Sequence, residues 1–212
     1  PVWQLALDLY AFETAQRLLL DVLASRLLEA DELRALTWAS AQAGEPERAI
    51  EALTRVVDGR GGDEAHWRYL LTLLRETDRR AAWLARIERF DRRFGVDTAL
   101  RLVWARQLMA EQSWEKALAV LEAGRPPDPG QALAYWQAAA AAALTLQRLE
   151  RVAEAYEALA GEGERLDVPA SQQLLALALF LGRDEQALSV ADRLWRDTGD
   201  PYYLVVALRR AD

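Results

Sequence analysis

A small or apolar residue recurs at Ala15, Ala49, Trp83, Ala117, Val152 and Ala187, at steps of 34, 34, 34, 35 and 35 residues. A second series, Leu19, Leu53, Ile87, Leu121, Tyr156 and Ala191, follows four residues behind, one helical turn further on. Self-similarity at this period means stacked helix–turn–helix units. No such unit can bury its apolar face alone, so each must pack on its neighbours in an all-α solenoid. The constraint reaches function too, because stacks of this kind present surfaces to other molecules and seldom do chemistry.

Composition agrees. Apolar residues make up 52% of the 212, against 11 glycines and 7 prolines, which suits a folded helical chain. The net charge of −7 gives no general affinity for nucleic acid. The charge is uneven: residues 1–58 hold five basic and ten acidic groups, and residues 59–95 hold nine basic and six acidic. There is no cysteine, so disulfides and thiolate metal sites are excluded. No run of 18 apolar residues offers a membrane-spanning helix, and no signal peptide is visible. The chain opens at Pro1 and closes at Tyr202–Arg210 inside repeat units, which predicts a piece of a longer array.

Punctuation between helices follows the same period. The sequence predicts Val2–Tyr10 as the tail of an opening helix and Phe12–Leu28 as its partner. Asp31, Asp63, Asp97 and Asp200 are expected to cap helices, and Pro46 and Pro169 to open them. The helix Glu47–Val57 should end in a loose connector at Gly59, Gly61 and Gly62. The firmest break is expected at Gly124, Pro126, Pro127, Pro129 and Gly130. Trp67, Leu70, Leu71 and Leu74 form an i, i+3, i+4, i+7 stripe, repeated by Leu100, Val103, Trp104 and Leu108. Small residues such as Ala49 and Ala117 let paired helices approach, while Trp67, Trp104 and Trp136 fill gaps between neighbours. Trp83 and Val152 break the small-residue rule. Either those pairs are spaced more widely, or the register slips by one onto Ala82 and Ala153.

The segments Leu33–Leu53, Trp67–Ile87, Arg101–Leu121, Trp136–Tyr156 and Ser171–Ala191 resemble tetratricopeptide repeats. The best marked are the turns Gly44-Glu45-Pro46-Glu47-Arg48-Ala49-Ile50 and Gly182-Arg183-Asp184-Glu185-Gln186-Ala187-Leu188. The consensus turn glycine survives at Gly44 and Gly182, and Asp78, Gln112 and Gln147 replace it. The resemblance implies a right-handed superhelical array with a truncated repeat at 1–29, full repeats at 30–62, 63–96, 97–130, 131–166 and 167–200, and the start of another at 201–212. It also implies a non-catalytic scaffold that binds a protein partner and needs no cofactor.

A degenerate, arginine- and tryptophan-rich array of this kind is further similar to the periplasmic repeat scaffolds of bacterial exopolysaccharide exporters, such as that of the Pel system. That likeness implies a periplasmic place, a parent protein anchored in the outer membrane by a β-barrel, and a partner that modifies polysaccharide, a deacetylase or hydrolase. The alternatives are a cytoplasmic regulatory or chaperone-adaptor module binding a partner's tail, or direct contact of the acidic surface with a cationic polysaccharide.

In the resembled family the first helix of each pair lines the inner face. The period then gives three columns at helical spacing: Arg34, Arg68, Leu102, Gln137, Gln172; Trp38, Thr72, Arg106, Ala141, Ala176; and Ala41, Arg75, Met109, Leu144, Leu179. The candidate partner-binding groove is therefore Arg34, Trp38, Arg68, Thr72, Arg75, Arg106 and Met109. Its arginines would take an acidic segment and Trp38 would anchor it. On this expectation, charge reversal at Arg68 and Arg106 abolishes binding. The opposing expectation is that these arginines are solvated or paired with Glu76 and Asp31.

Other features point to no chemistry. Arg79, Arg80, Arg86, Arg89, Arg92 and Arg93 read as an outer face laced by a Glu88–Arg92 pair. His66, the one histidine, has no partner for a metal site or a catalytic triad. Gly59–Gly62 lacks the lysine of a phosphate loop.

Overall fold

The computed structural model describes residues 1–60, 62–124, 129–163 and 166–211. The expected breaks at Gly61, Pro126 and Pro127 lie outside the described residues. Two compact units divide the chain, Pro1–Gly95 and Val96–Asp212. The first contains α1 (Val2–Asp8), α2 (Phe12–Ser25), α3 (Ala30–Ala43), α4 (Pro46–Arg55), a π-helical turn (Val56–Arg60), α5 (Glu64–Glu76) and α6 (Arg80–Phe94). The second contains α7 (Thr98–Ala110), α8 (Trp114–Glu122), α9 (Pro129–Thr145), α10 (Leu149–Glu162), α11 (Val168–Phe180), α12 (Asp184–Thr198) and α13 (Pro201–Ala211). Among the described residues there is no strand. Within each unit the main helix contacts run between elements one or two apart in chain order, the nearest-neighbour packing of a tetratricopeptide-like α-solenoid.

Both sequence series are buried. Ala15, Ala49, Ala117, Val152 and Ala187 are fully enclosed, and Trp83 is 2% exposed. Leu19, Leu53, Ile87, Leu121, Tyr156 and Ala191 are buried with them. Ala82 is exposed and Ala153 only half-buried, so the register does not slip at either departure. Trp67 and Trp104 are buried, and Trp67 lies 6.5 Å from the Phe90 ring, as gap-filling requires. Trp136 is half-buried at the edge of the second unit's core.

The turns inside each hairpin share one conformation. Tyr10, Gly44, Asp78, Gln112, Gln147 and Gly182 all have positive φ, between 53° and 69°. Each donates its N–H to the carbonyl three residues back, and the next residue donates to the carbonyl five back. Tyr10 and Ala11 do so at 2.9 and 2.8 Å, Gln147 and Arg148 at 3.1 and 2.9 Å. This paired bonding satisfies the last carbonyls of the first helix and stops it. The missing glycines therefore leave the turn geometry intact, and the replacing residues are held in a left-handed conformation that L-residues disfavour.

Helix starts follow the aspartates, with one correction. Asp63 accepts the His66 N–H at 3.1 Å, Asp97 that of Leu100 at 2.8 Å, and Asp200 that of Tyr202 at 2.9 Å. Asp31 does not cap α3: it lies in the first turn, and the cap is Glu29. The Glu29 N–H donates to the Glu32 carboxylate at 2.9 Å, and the Arg26 guanidinium grips that same carboxylate at 2.6 and 2.8 Å. A reciprocal pair of glutamates performs here the task of a capping box.

The loose connector expected at Gly59, Gly61 and Gly62 is corrected at its start: the chain continues through Gly59 as the π-helical turn Val56–Arg60, while Gly62 lies outside any helix, and Asp58 on the turn is clamped by α6. Arg86 donates twice to its carboxylate, at 2.6 and 2.8 Å, and Arg89 once, at 2.8 Å. The basic run is thus tied across repeats. Arg79 pairs with Glu47, and the Arg89 guanidinium lies 5.4 Å from the Trp67 ring. Arg92 bonds the Glu88 backbone carbonyl at 3.3 Å, where a carboxylate pair was expected.

The hydrogen bonds of Arg86, joined by those of Arg89, hold the Asp58 carboxyl below its ordinary range against the opposing pull of burial. A carboxyl lowered on folding adds stability that is complete above its unfolded pKa, about 3.9, and vanishes as pH falls through the folded value. Asp58→Asn is expected to lower stability at neutral pH by about 1 kcal/mol. It should also flatten the acid loss below about pH 4. Urea midpoints measured against pH check this, and parallel curves for the two proteins would contradict it.

Candidate partner-binding groove

The first helices α1 and α3 of the Pro1–Gly95 unit enclose a groove of about 660 Å³. Its walls are Trp3, Gln4, Leu7 and Asp8 from α1, Tyr10 from the turn, and Asp31, Arg34, Ala35 and Trp38 from α3. Helical spacing explains the α3 wall, since Asp31, Arg34, Ala35 and Trp38 recur at three, four and seven residues. The floor is closed by buried Leu7 and Ala35, and the large rings stand above it.

Those rings form a connected set. Phe12, at the start of α2, stands edge-on to Trp38 at 5.1 Å and to Tyr10 at 6.0 Å, with 82° between planes in both cases. Edge-to-face contact with the half-buried Phe12 limits the freedom of both rings. Trp38 remains 46% exposed and Tyr10 77%. Exposed aromatics held rigid by one another are what a binding anchor requires, because little side-chain freedom is left to lose.

Charge in the groove is partly spent internally. Arg34 pairs with Asp31 on the preceding turn. Beside them the Tyr69 hydroxyl of α5 reaches the Ala30 carbonyl at 3.5 Å. Burial, with the nearby Asp31 charge, holds the Tyr69 phenol above its ordinary range although Arg34 pulls the other way, so it stays neutral. Asp8 has no cationic partner among the described residues.

The other predicted residues sit differently. Arg68 of α5 pairs with Glu64 at 2.7 Å and lies 5.3 Å from the Phe90 ring. The Thr72 hydroxyl donates back to the Arg68 carbonyl at 3.0 Å. Arg75, at the end of α5, is exposed and has no ionic partner among the described residues. On α7 of the second unit, Arg106 is exposed, without an ionic partner among the described residues, and Met109 is half-buried. The structure thus brings Arg34 and Trp38 into one groove and leaves Arg68 and Thr72 committed to their own helix and its neighbour. Trp3, Gln4, Asp8 and Tyr10 are groove residues beyond the predicted set. Carrying the columns back one period lands on Gln4 and Leu7, so that signal was present in the spacing.

Among the described residues, no group of three His, Cys, Asp or Glu side chains is placed to hold a metal. No helix built from them is long and apolar enough to cross a membrane. His66 is buried, with its Nδ1 2.6 Å from the capping carboxylate of Asp63.

Helix hairpins repeated at 34–35 residues, each closed by one turn geometry, with an aromatic groove on the first-helix face, define a repeat scaffold. The family model described as Tetratricopeptide repeat matches residues 86–212. The chain belongs to the tetratricopeptide repeat family. No curated protein matches the sequence. Among solved structures, a tetratricopeptide repeat protein from Parabacteroides merdae is similar with a TM-score of 0.61 at 14% identity, over 85% of this chain and 72% of that one. The structure of Naa15/Naa10 bound to HypK-THB has a TM-score of 0.61 at 15% identity, over 98% of this chain and 32% of the other. The APC/C hetero-tetramer Cut9–Hcn1 has a TM-score of 0.53 at 13% identity, over 100% and 42%. The chain spans less than half the length of the last two. These likenesses concern the fold. Tetratricopeptide repeat proteins generally mediate protein–protein interactions.

Proposed function

We propose that this chain is a non-catalytic interaction module that holds a partner protein in the groove between α1 and α3. The observation that carries the reading is the pair of exposed rings Tyr10 and Trp38, each held edge-to-face by the half-buried Phe12, on the first-helix face of a repeat stack. Family membership supports it, because these repeats generally bind proteins. So does the internal pairing of Arg34 and Arg68, which shifts the weight of binding from arginine charge to aromatic contact.

The test is affinity capture from the source cells, followed by calorimetry with the purified partner. Trp38→Ala is expected to weaken binding at least about tenfold, the scale of an interface anchor. Helicity should be unchanged, because the ring is half in solvent. Equal affinity for the two proteins would end the reading.

We further propose that the protein works in the periplasmic part of an exopolysaccharide secretion complex, where it recruits a polymer-modifying partner. The support is the arginine- and tryptophan-rich, degenerate character of the repeats. The full reading frame tests it: a signal peptide and a β-barrel segment are expected. With neither present, the cytoplasmic adaptor reading takes its place.

A further inference from the structure

We infer that Gln16 is the positioning residue of the groove: its hydrogen bonds to α3, and to the turn that closes α3, set α2 so that Phe12 meets Trp38. The inference rests on the groove reading above and names what holds its exposed ring in place.

Register is the first argument. Gln16 directly follows Ala15 of the buried series, and the same place in later repeats holds Ile50, Leu84, Leu118, Ala153 and Leu188. Ser40 lies four residues before the turn residue Gly44, and its equivalents are Ala6, Leu74, Leu108, Ala143 and Ala178. Every equivalent is apolar. Gln16 is 1% exposed and Ser40 0%, as deep as Ile50, Leu74, Leu118 and Ala143 in their own repeats. Apolar side chains fill these places elsewhere, so packing alone asks for neither the amide nor the hydroxyl. Burying both carries a desolvation cost that only completed hydrogen bonds offset.

Hydrogen bonding is the second. The Gln16 amide nitrogen donates to the Ser40 Oγ at 3.1 Å and to the Glu45 carbonyl at 2.7 Å. The Ser40 hydroxyl donates to the Leu36 carbonyl at 2.6 Å, which leaves its oxygen free to accept. One side chain of α2 thus grips α3 at two points, on the helix and just beyond its left-handed turn. Apolar contact tolerates a slide or a rotation of one helix on another. Two directed bonds from a single amide do not.

Position is the third. Phe12 precedes Gln16 by four residues, one turn of α2, and Trp38 precedes Ser40 by two. The Phe12–Trp38 contact, at 5.1 Å and 82°, is therefore made beside these bonds. Edge-to-face contact depends on ring angle and offset, so a shift of α2 along α3 undoes it. Departures from a local rule concentrate where function requires them, and this polar pair falls at the joint that carries the exposed rings.

The test is nuclear magnetic resonance of the isotope-labelled full chain, with the Trp38 indole signal assigned through Trp38→Phe. The double variant Gln16→Leu/Ser40→Ala gives this joint the side chains found at Leu118 and Ala143. It is expected to keep its helicity and thermal midpoint, to lose the nuclear Overhauser contact between the Phe12 and Trp38 rings, and to shift the Trp38 indole N–H. Ser40→Ala alone keeps the bond to Glu45 and should shift the same signal less; it decides the matter if the double variant does not fold. Leu23→Ala, near the far end of α2, should lower the thermal midpoint and leave the ring contact in place, which separates positioning from general loosening.

An unchanged ring contact and indole signal in the Gln16 and Ser40 variants overturns the inference, as does equal loss of the contact in Leu23→Ala. If those variants leave the rings in place while Trp38→Ala still releases the captured partner, the role of Gln16 falls and the groove stands. If Trp38→Ala leaves capture intact, both fall.

Discussion

Trp83→Ala is expected to remove about 3–5 kcal/mol of folding free energy. The result runs against the repeat pattern, since alanine holds the equivalent place at Ala15, Ala49, Ala117 and Ala187. The reason is local. Trp83 is 2% exposed, so truncation opens a cavity the size of an indole between α6 and its neighbours. Ala49 and Ala117 are fully buried with small side chains, and Trp83 is buried with a large one, so each site is filled by a different volume. A stack with only nearest-neighbour packing has no second core to absorb the loss. The loss is a large share of the roughly 5–15 kcal/mol available to a domain. Urea denaturation followed by circular dichroism measures it. A change under about 1 kcal/mol would mean that the helices close over the gap, contrary to tight packing around Trp83. Ala49→Trp should also destabilise, by at least about 1–3 kcal/mol, because the same volume has no space there.

The second large effect has the opposite sign. Gln112 and Gln147 sit at φ 56° and 53°, in turns that glycine makes at Gly44 and Gly182. The left-handed conformation disfavours an L-residue by about 1–2 kcal/mol. Glycine relieves that strain but has more freedom to lose on folding, about 0.4–1 kcal/mol. The balance for each of Gln112→Gly and Gln147→Gly is a gain of roughly 0.5–1 kcal/mol. The sites are a full repeat apart, so the double variant should gain about twice as much. Its thermal midpoint should rise by about 2–8 °C. A midpoint that falls would show that these turns are held by side-chain contacts of the glutamines, and not by the paired backbone bonds of the turn.

The extent to which the fold could be read from sequence follows from what repeats. Positions sharing the 34-residue period are buried together, because every unit must solve the same packing problem. That is why Ala15, Ala117 and Leu121 were legible, and why Trp83 stayed in register despite its size. Aspartate caps were legible where the side chain lies next to the N–H groups it must satisfy, as at Asp63 and Asp97. Glu29 was not, since a glutamate cap works here only through its reciprocal bond with Glu32 and the Arg26 clamp. The π-helical turn was hidden because Gly59, followed closely by two more glycines in the sequence, reads as a loop, and what orders it, the Asp58–Arg86 contact, spans 28 residues.

The groove was half legible. Arg34 and Trp38 follow from the columns, but Tyr10 belongs to a turn, and Phe12, which holds its ring from outside the groove, to a helix start beyond the column rule. The fate of Arg68 was not readable either. Glu64 and the Phe90 ring both claim it, and the second contact depends on tertiary packing.

The central claim is that each repeat is held by its immediate neighbours and by no common core. Amide hydrogen exchange of Trp83→Ala against the parent protein tests it most directly. Faster exchange is expected in α5 and α6 and, to a lesser degree, in α4, with the amides of α11, α12 and α13 unchanged. Equal acceleration across all the described helices would show one cooperative core and contradict the account.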